Sequence, residues 1–212
     1  MTDQYSTSRK TLEVTYVGHS ALMFRYGDEV VHIDPYSDVA DYTQMPKADL
    51  ILITHHHGDH LDDIAVEQIE QVSTQIIGSP LSVRELGRGT AIKNGAQTVW
   101  REFRIRAVPA YNRISMRSPG VPFHIKGEGN GYMIELDGLH IYIAGDTELI
   151  PEMEKLGPID IAFLPKNMPY TMSDQMFIET ARLLRPAVLY PYHYFEVDRA
   201  ALQEALPDIK IR

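Results

Sequence analysis

Residues 50–63 read LILITHHHGDHLDD. An apolar run passes without a break into four histidines and three aspartates within nine positions. The whole chain holds only nine histidines in 212 residues, so this density is not a matter of composition. The apolar half, DLILIT (49–54), has the pattern of a strand buried on both faces. Beyond the histidines, LDDIAVEQIEQV (61–72) places Leu61, Ile64, Ile69 and Val72 at helical spacing, which predicts a helix. THHHGDH (54–60) is therefore a strand-to-helix loop, held by rigid neighbours and open at a sheet edge. His55 and His57, two apart, are expected on one side of an extended turn, and Asp59 and His60 at the start of the helix. Gly58 is expected to let the backbone fold tightly. Three imidazoles and a carboxylate then come from six residues, a donor set suited to zinc or a similar divalent ion. His56, flanked by inward-pointing neighbours, is expected to point away. A lone His-x-His is usually a solvated loop; the full His-x-His-x-Asp-His between a strand and a helix is far more specific.

Composition narrows the chemistry. The chain has no cysteine, which rules out disulfides, thiol nucleophiles and thiolate metal sites. Any metal must be held by His, Asp, Glu or Asn. The formal net charge of -9 argues against a nucleic-acid partner, whose binders are usually basic. It suits a protein that takes up multivalent cations, and equally an ordinary solvated acidic surface. No apolar run approaches the ~20 residues of a membrane span. MTDQYSTSRK at the N-terminus has no apolar core of a signal peptide, so the expected compartment is the cytoplasm.

Along the chain there is no repeat and no low-complexity linker, and one domain over 1–212 is expected. LEVTYVG (12–18), ALMFRYG (21–27) and EVVHIDP (29–35) are short β-type runs broken by Gly or Pro. TQIIGSP (74–80) predicts strand then turn, and PLSVRELGRG (80–89) a short helix from Pro to Gly. QTVWREFRIRAVP (97–109) alternates like strands with one face in a core. NGYMIELDGLHIYIAGD (130–146) predicts a hairpin turning at Asp137-Gly138. IDIAFLP (159–165) and AVLYPYH (187–193) read as strands, and 172–186 and 197–206 as helices. A β-meander followed by alternating strands and helices predicts two sheets with helices outside, an α/β protein.

THHHGDH resembles the signature of the metallo-β-lactamase superfamily of metal-dependent hydrolases. Further segments match in the order that family has them: HIDP with Asp34, YIAGDT with Asp146 and YPYHY with His193. VGHS (17–20) resembles the branch of small stand-alone hydrolases that includes ascorbate-6-phosphate lactonase-like proteins. The resemblance implies a four-layer αββα sandwich and two divalent metal ions, zinc by default, with manganese or iron as alternatives. One metal would take His55, His57 and a third histidine; the other Asp59, His60 and His193; Asp146 would bridge them. The third histidine of the family falls where this chain reads PAYN (109–112), so Asn112 stands in its place. Either His124, in FHIKGEGNGY, supplies the missing ligand, or the first metal site is weakened.

The implied activity is hydrolysis of a small ester, lactone or phosphodiester by a metal-bound hydroxide, with Asp59 and Asp146 as catalytic carboxylates. Asp34 would hydrogen-bond a ligand histidine or cap a turn before Pro35; His19 would line the site or lie in a surface turn. His32 and His140 belong to no ligand spacing. Tyr111, Tyr170, Tyr192 and Tyr194 would assist an oxyanion or simply pack. Lys126, Lys166, Arg113 and Arg117 would favour an anionic small-molecule substrate, or be solvated loop charges. The oligomeric state stays open, a homo-oligomer included. The other readings are a metal-binding or redox module related to flavodiiron proteins, and a relative whose first site is degraded.

Overall fold

The computed structural model describes residues 2–212. The chain divides into two compact units, Met1–Lys93 and Asn94–Arg212.

The first unit is a seven-stranded sheet in sequence order. It runs β1 (Thr2–Ser6), β2 (Thr11–Gly18), β3 (Ala21–Tyr26), β4 (Glu29–Ile33), β5 (Leu50–Ile53), β6 (Gln75–Gly78) and β7 (Thr90–Ala91). Pairing is antiparallel from β1 to β4 and parallel from β4 to β7. Every residue of β5 is buried, as its unbroken apolar run requires. Helix α1 (Asp63–Ile69) joins β5 to β6, and α2 (Pro80–Leu86) joins β6 to β7. Both begin on side-chain caps: Asp62 accepts from Ile64 and Ala65, and Ser79 from Ser82. Helix α2 starts at Pro80 and stops at Gly87, which is left-handed with φ 74°.

Two expectations for this unit need correction. Asp59 and His60 do not open α1; they lie in a turn, with His60 N–H donating to the His57 carbonyl at 2.9 Å. The helix waits for Asp62, whose carboxylate caps it and also takes Ser37 N–H at 2.7 Å. The buried face of α1 is the predicted one only in part: Ile69 is buried and Leu61 packs against the same cluster, as expected. Ala65, Val66 and Ile69 pack with Ile51, Ile53 and Ile76, whereas Ile64 and Val72 are exposed. The small residue Ala65 let the helix sit on the sheet along a stripe that a search for large apolar side chains misses.

The second unit is another seven-stranded sheet, ordered β16-β15-β14-β13-β12-β9-β8. Its strands are β8 (Gln97–Trp100), β9 (Phe103–Ala110), β12 (Gly129–Leu136), β13 (Leu139–Ile143), β14 (Ile161–Pro165), β15 (Val188–Tyr192) and β16 (Lys210–Ile211). A separate small hairpin, β10 (Met116–Ser118) and β11 (Val121–Pro122), stands between β9 and β12. The alternating run at 97–109 is two antiparallel strands turning at Arg101, φ 48°. The Asp137-Gly138 hairpin forms as expected, with both turn residues at positive φ. The sheet turns parallel beyond β13, connected by α3 (Asp174–Leu184) and α4 (Arg199–Ala205). Phe177 and Ala181 of α3 and Leu202 of α4 pack on Tyr142, Ala162, Leu164 and Leu189. Gly131 has no alternative: a Cβ there would lie 2.7 Å from the Ala144 carbonyl oxygen, so only glycine lets β12 run this close to the end of β13.

Each unit is thus a mixed sheet with its own helices, as the α/β expectation requires. The short strands β1, β7, β10, β11 and β16 carried too little pattern to be read from sequence. No helix among the described residues is long and apolar enough to cross a membrane.

Candidate metal centre

The donors of the first unit lie on the loop leaving β5. His55 Nε2 stands 3.1 Å from His57 Nδ1, and the rings of His55 and His60 are 4.0 Å apart. His55 and His60 are buried; His56 and His57 are half-buried. Their orientation comes from Asp34, just beyond β4, a buried residue at φ 45°. Its carboxylate accepts Thr54 N–H at 2.7 Å, the Thr54 hydroxyl at 2.6 Å and His60 Nδ1–H at 2.8 Å. A carboxylate only accepts, so His60 carries its proton on Nδ1 and keeps a lone pair on Nε2. The Thr54 hydroxyl, its hydrogen committed to Asp34, accepts from His55 Nδ1 at 3.1 Å, which leaves a lone pair on His55 Nε2 as well. Asp34 therefore positions a histidine, and does so for two of them.

Asp59 meets a residue whose role was open in the sequence. His19 Nε2 lies 2.9 Å from Asp59 Oδ2, and metal-ligating atoms of His19, Asp59 and His60 lie within 4.8 Å of one another. His19 has φ 53°, a left-handed backbone rare for a side-chain-bearing residue. Gly58 does not do what was expected of it. Its φ is not positive, and a Cβ there would meet nothing within 4 Å, so the turn does not need a glycine. His32 is not a donor of this set: it is buried, donates Nε2–H to the Pro46 carbonyl at 3.1 Å, and burial pushes its pKa down to about 4.

The second unit has its own set around Asp146, which follows β13. Asp146 Oδ2 lies 3.2 Å from His124 Nε2 and 3.0 Å from His193 Nε2, and all three side chains are buried. His193 follows β15 at φ 49°. Asn112 takes no place among these atoms. Its Oδ1 accepts His124 N–H at 2.9 Å and faces His124 Nδ1 at 2.7 Å. The contact of His193 Nδ1 is Asn167 Nδ2 at 3.2 Å.

Glu148 is the residue that sequence reasoning passed over. It is wholly buried and takes the N–H groups of Arg113, Ile114 and Ser115 at 2.7, 2.7 and 2.8 Å. Burial alone would raise its pKa, but the hydrogen bonds from Ser115 and these amides outweigh burial and hold it below the usual carboxylate value. Thr147 beside it exchanges hydrogen bonds with the Tyr111 backbone at 3.1 Å in each direction. The segment that carries Asp146 thus grips the one that carries Asn112. The sequence signal was present, a Glu two residues after Asp146, but nothing local says what it binds.

The basic side chains near these elements are already engaged. Lys126 pairs with Glu152 at 2.5 Å and donates to the Tyr111 hydroxyl at 3.4 Å. Lys166 pairs with Asp174 at 2.6 Å, and Arg117 donates to the Phe123 carbonyl at 3.0 Å. His140 contacts Asp160 at 3.2 Å.

The donor chemistry fits a divalent ion. Oδ1 of Asn112 can only accept, so His124 holds its proton on Nδ1 and turns a lone pair toward Asp146. Two acceptors facing each other at 3.2 Å are stable only around positive charge, either added protons or a cation.

The comparisons with known proteins agree with this chemistry. Residues 13–193 match the profile of the beta-lactamase superfamily domain. A Thermococcus onnurineus protein named UPF0173 metal-dependent hydrolase is 35% identical over 196 residues, covering 86% of this chain and 84% of that protein. A Parabacteroides distasonis crystal structure, assigned as a metal-dependent hydrolase, superimposes with a TM-score of 0.95 at 45% identity, covering 100% of this chain and 97% of that one. Igni18, a metallo hydrolase from Ignicoccus hospitalis, gives 0.77 at 28% identity over 95% and 94% of the two chains. The chain belongs to the metallo-β-lactamase superfamily. Within it, this protein is a metal-dependent hydrolase.

Proposed function

We propose that His55, His57, Asp59, His60, His124, Asp146 and His193 are ligands to two divalent metal ions, and that the protein hydrolyses a small ester, lactone or phosphodiester. The observation that carries this reading is the buried meeting of Asp146 with His124 and His193, which calls for positive charge. Membership of the superfamily supports it, because the matched region, 13–193, includes every proposed ligand. Imidazole-rich donors favour zinc, and the carboxylates leave manganese and iron open. When bound, such a pair supplies a water acidic enough to act as a nucleophile at neutral pH and polarises the electrophile.

The chain's own residues have separate tasks. Asp34, Thr54 and Asn112 hold protons on Nδ1 of His60, His55 and His124 and so aim Nε2 of each outward. Asp146, buried beside His124 and His193, would be a ligand to the metal. Asp59 is the proposed proton carrier, with one oxygen held by His19. Elemental analysis and a panel of phosphodiester, lactone and ester substrates test the proposal: about two metals per chain and turnover on at least one class are expected. A fully loaded protein inert on all three classes overturns it.

A further inference from the structure

We propose that Asn112 is a positioning residue that locks His124 in the Nδ1–H tautomer and so turns a histidine from outside the superfamily's usual place into a metal ligand. Its consequence for metal binding rests on the metal-centre reading above; its geometry does not.

The orientation of the Asn112 carboxamide is fixed by what lies against each end. Its two ends look alike in shape, but their neighbours do not. Oδ1 receives the His124 backbone N–H at 2.9 Å, a group that can only donate. Nδ2 donates to the Tyr170 carbonyl at 2.9 Å, a group that can only accept. Turning the amide over would set donor against donor and acceptor against acceptor at once. With the amide fixed this way, the atom 2.7 Å from His124 Nδ1 is an acceptor, so Nδ1 carries the hydrogen. The Asn112 backbone N–H also donates to the His124 carbonyl at 3.0 Å, which pins the two residues to each other across the 113–123 hairpin. The amide beside His193 is set differently. The Asn167 amide touches its Nδ1 at 3.2 Å, but Asn167 Oδ1 has no hydrogen-bond partner among the described residues to set the amide's direction.

The backing group also differs in charge from the one at His60. Asp34 is a carboxylate; Asn112 is neutral. A neutral acceptor orients the ring without adding negative charge to a buried cluster that already contains Asp146. Position 112, where the family has a ligand, thereby holds a residue that supports a ligand elsewhere.

The test uses the full chain with ¹⁵N-labelled histidine. In the metal-free wild type, long-range ¹H–¹⁵N correlation of the ring should show His124 carrying a hydrogen on Nδ1, whether or not Asp146 also holds one on Nε2; a ring with its only hydrogen on Nε2 overturns the proposal without any variant. In Asn112→Leu the two tautomers should mix, and zinc affinity, measured by competition with a chromophoric chelator, should fall about 10- to 100-fold. Asn112→Asp keeps an acceptor at the same place and should retain the Nδ1–H signal. Leucine and wild-type proteins that bind zinc within twofold of each other refute the role. If Asn112→Leu does not fold by circular dichroism, the wild-type and Asn112→Asp tautomers decide. A wild type that shows the Nδ1–H ring yet binds no zinc refutes the metal-centre reading and leaves the positioning role standing.

Discussion

His60 donates a hydrogen bond from Nδ1–H to Asp34 at 2.8 Å, with both side chains wholly buried. The same carboxylate accepts two hydrogen bonds from Thr54, so one residue orders the whole start of the histidine loop. Asp34→Ala strands three buried donors and should lower stability in urea unfolding by about 3–5 kcal/mol. Asp34→Asn keeps one acceptor oxygen and tolerates φ 45°, so it should cost clearly less. Equal stability of the alanine variant and wild type would show that the network contributes nothing.

Asp146→Asn removes the negative charge that His124 and His193 face. Hydrolysis should fall by more than the ~100-fold that loss of a supporting residue costs. Metal content by elemental analysis should drop by at least half. An Asp146→Asn protein with wild-type turnover on every substrate would falsify the hydrolytic role of this carboxylate.

The buried His32 makes stability depend on pH in a defined direction. Burial lowers its pKa from 6.5 to about 4, the Pro46 hydrogen bond opposes that, and Arg25 adds to it. The unfolded chain therefore binds a proton between these pH values that the folded chain refuses. Its full contribution is present above pH 6.5 and drains away as pH falls toward 4, by about 3 kcal/mol. His32→Gln should remove that part of the slope. Urea midpoints at pH 7.5 and 4.5 give the comparison, and parallel losses in the two proteins count against it.

The face of α1 can be checked by paired substitutions. Ile64 is 62% exposed, so Ile64→Lys should change stability by no more than about 0.5 kcal/mol. Ile69 is fully buried, and Ile69→Ala should cost about 2–5 kcal/mol. An Ile64→Lys cost as large as that of Ile69→Ala in thermal or urea unfolding would restore the face that apolar spacing predicted.

Much of the fold was legible because its signals are local. The apolar run of β5, the Asp137-Gly138 turn and the Pro80-to-Gly87 helix each declare themselves within a few residues. The two-residue strands β7 and β16 do not, since their pairing depends on strands well back along the chain, and β11, whose partner is near, is too short to show a pattern. The direction of the α1 face was missed for a related reason. Small Ala65 gains its value only from the sheet beneath it.

The sequence by itself determined which chemistry was available. It supplied histidines and aspartates without any thiol, a His-x-His-x-Asp-His loop at the end of a buried strand, and Asp146 and His193 at the ends of others. It also exposed the anomaly at Asn112 but left two answers open. Only the tertiary structure decided what Asn112 touches: twelve residues on, His124 turns Nδ1 to it at 2.7 Å and Nε2 to Asp146 at 3.2 Å. It likewise decided that Glu148 clamps three amides and that Asp34 serves Thr54 and His60 together. The reason is physical. A residue's identity fixes what it can donate or accept, but a tautomer is set by the partner opposite it, and that partner arrives only when distant segments fold into contact.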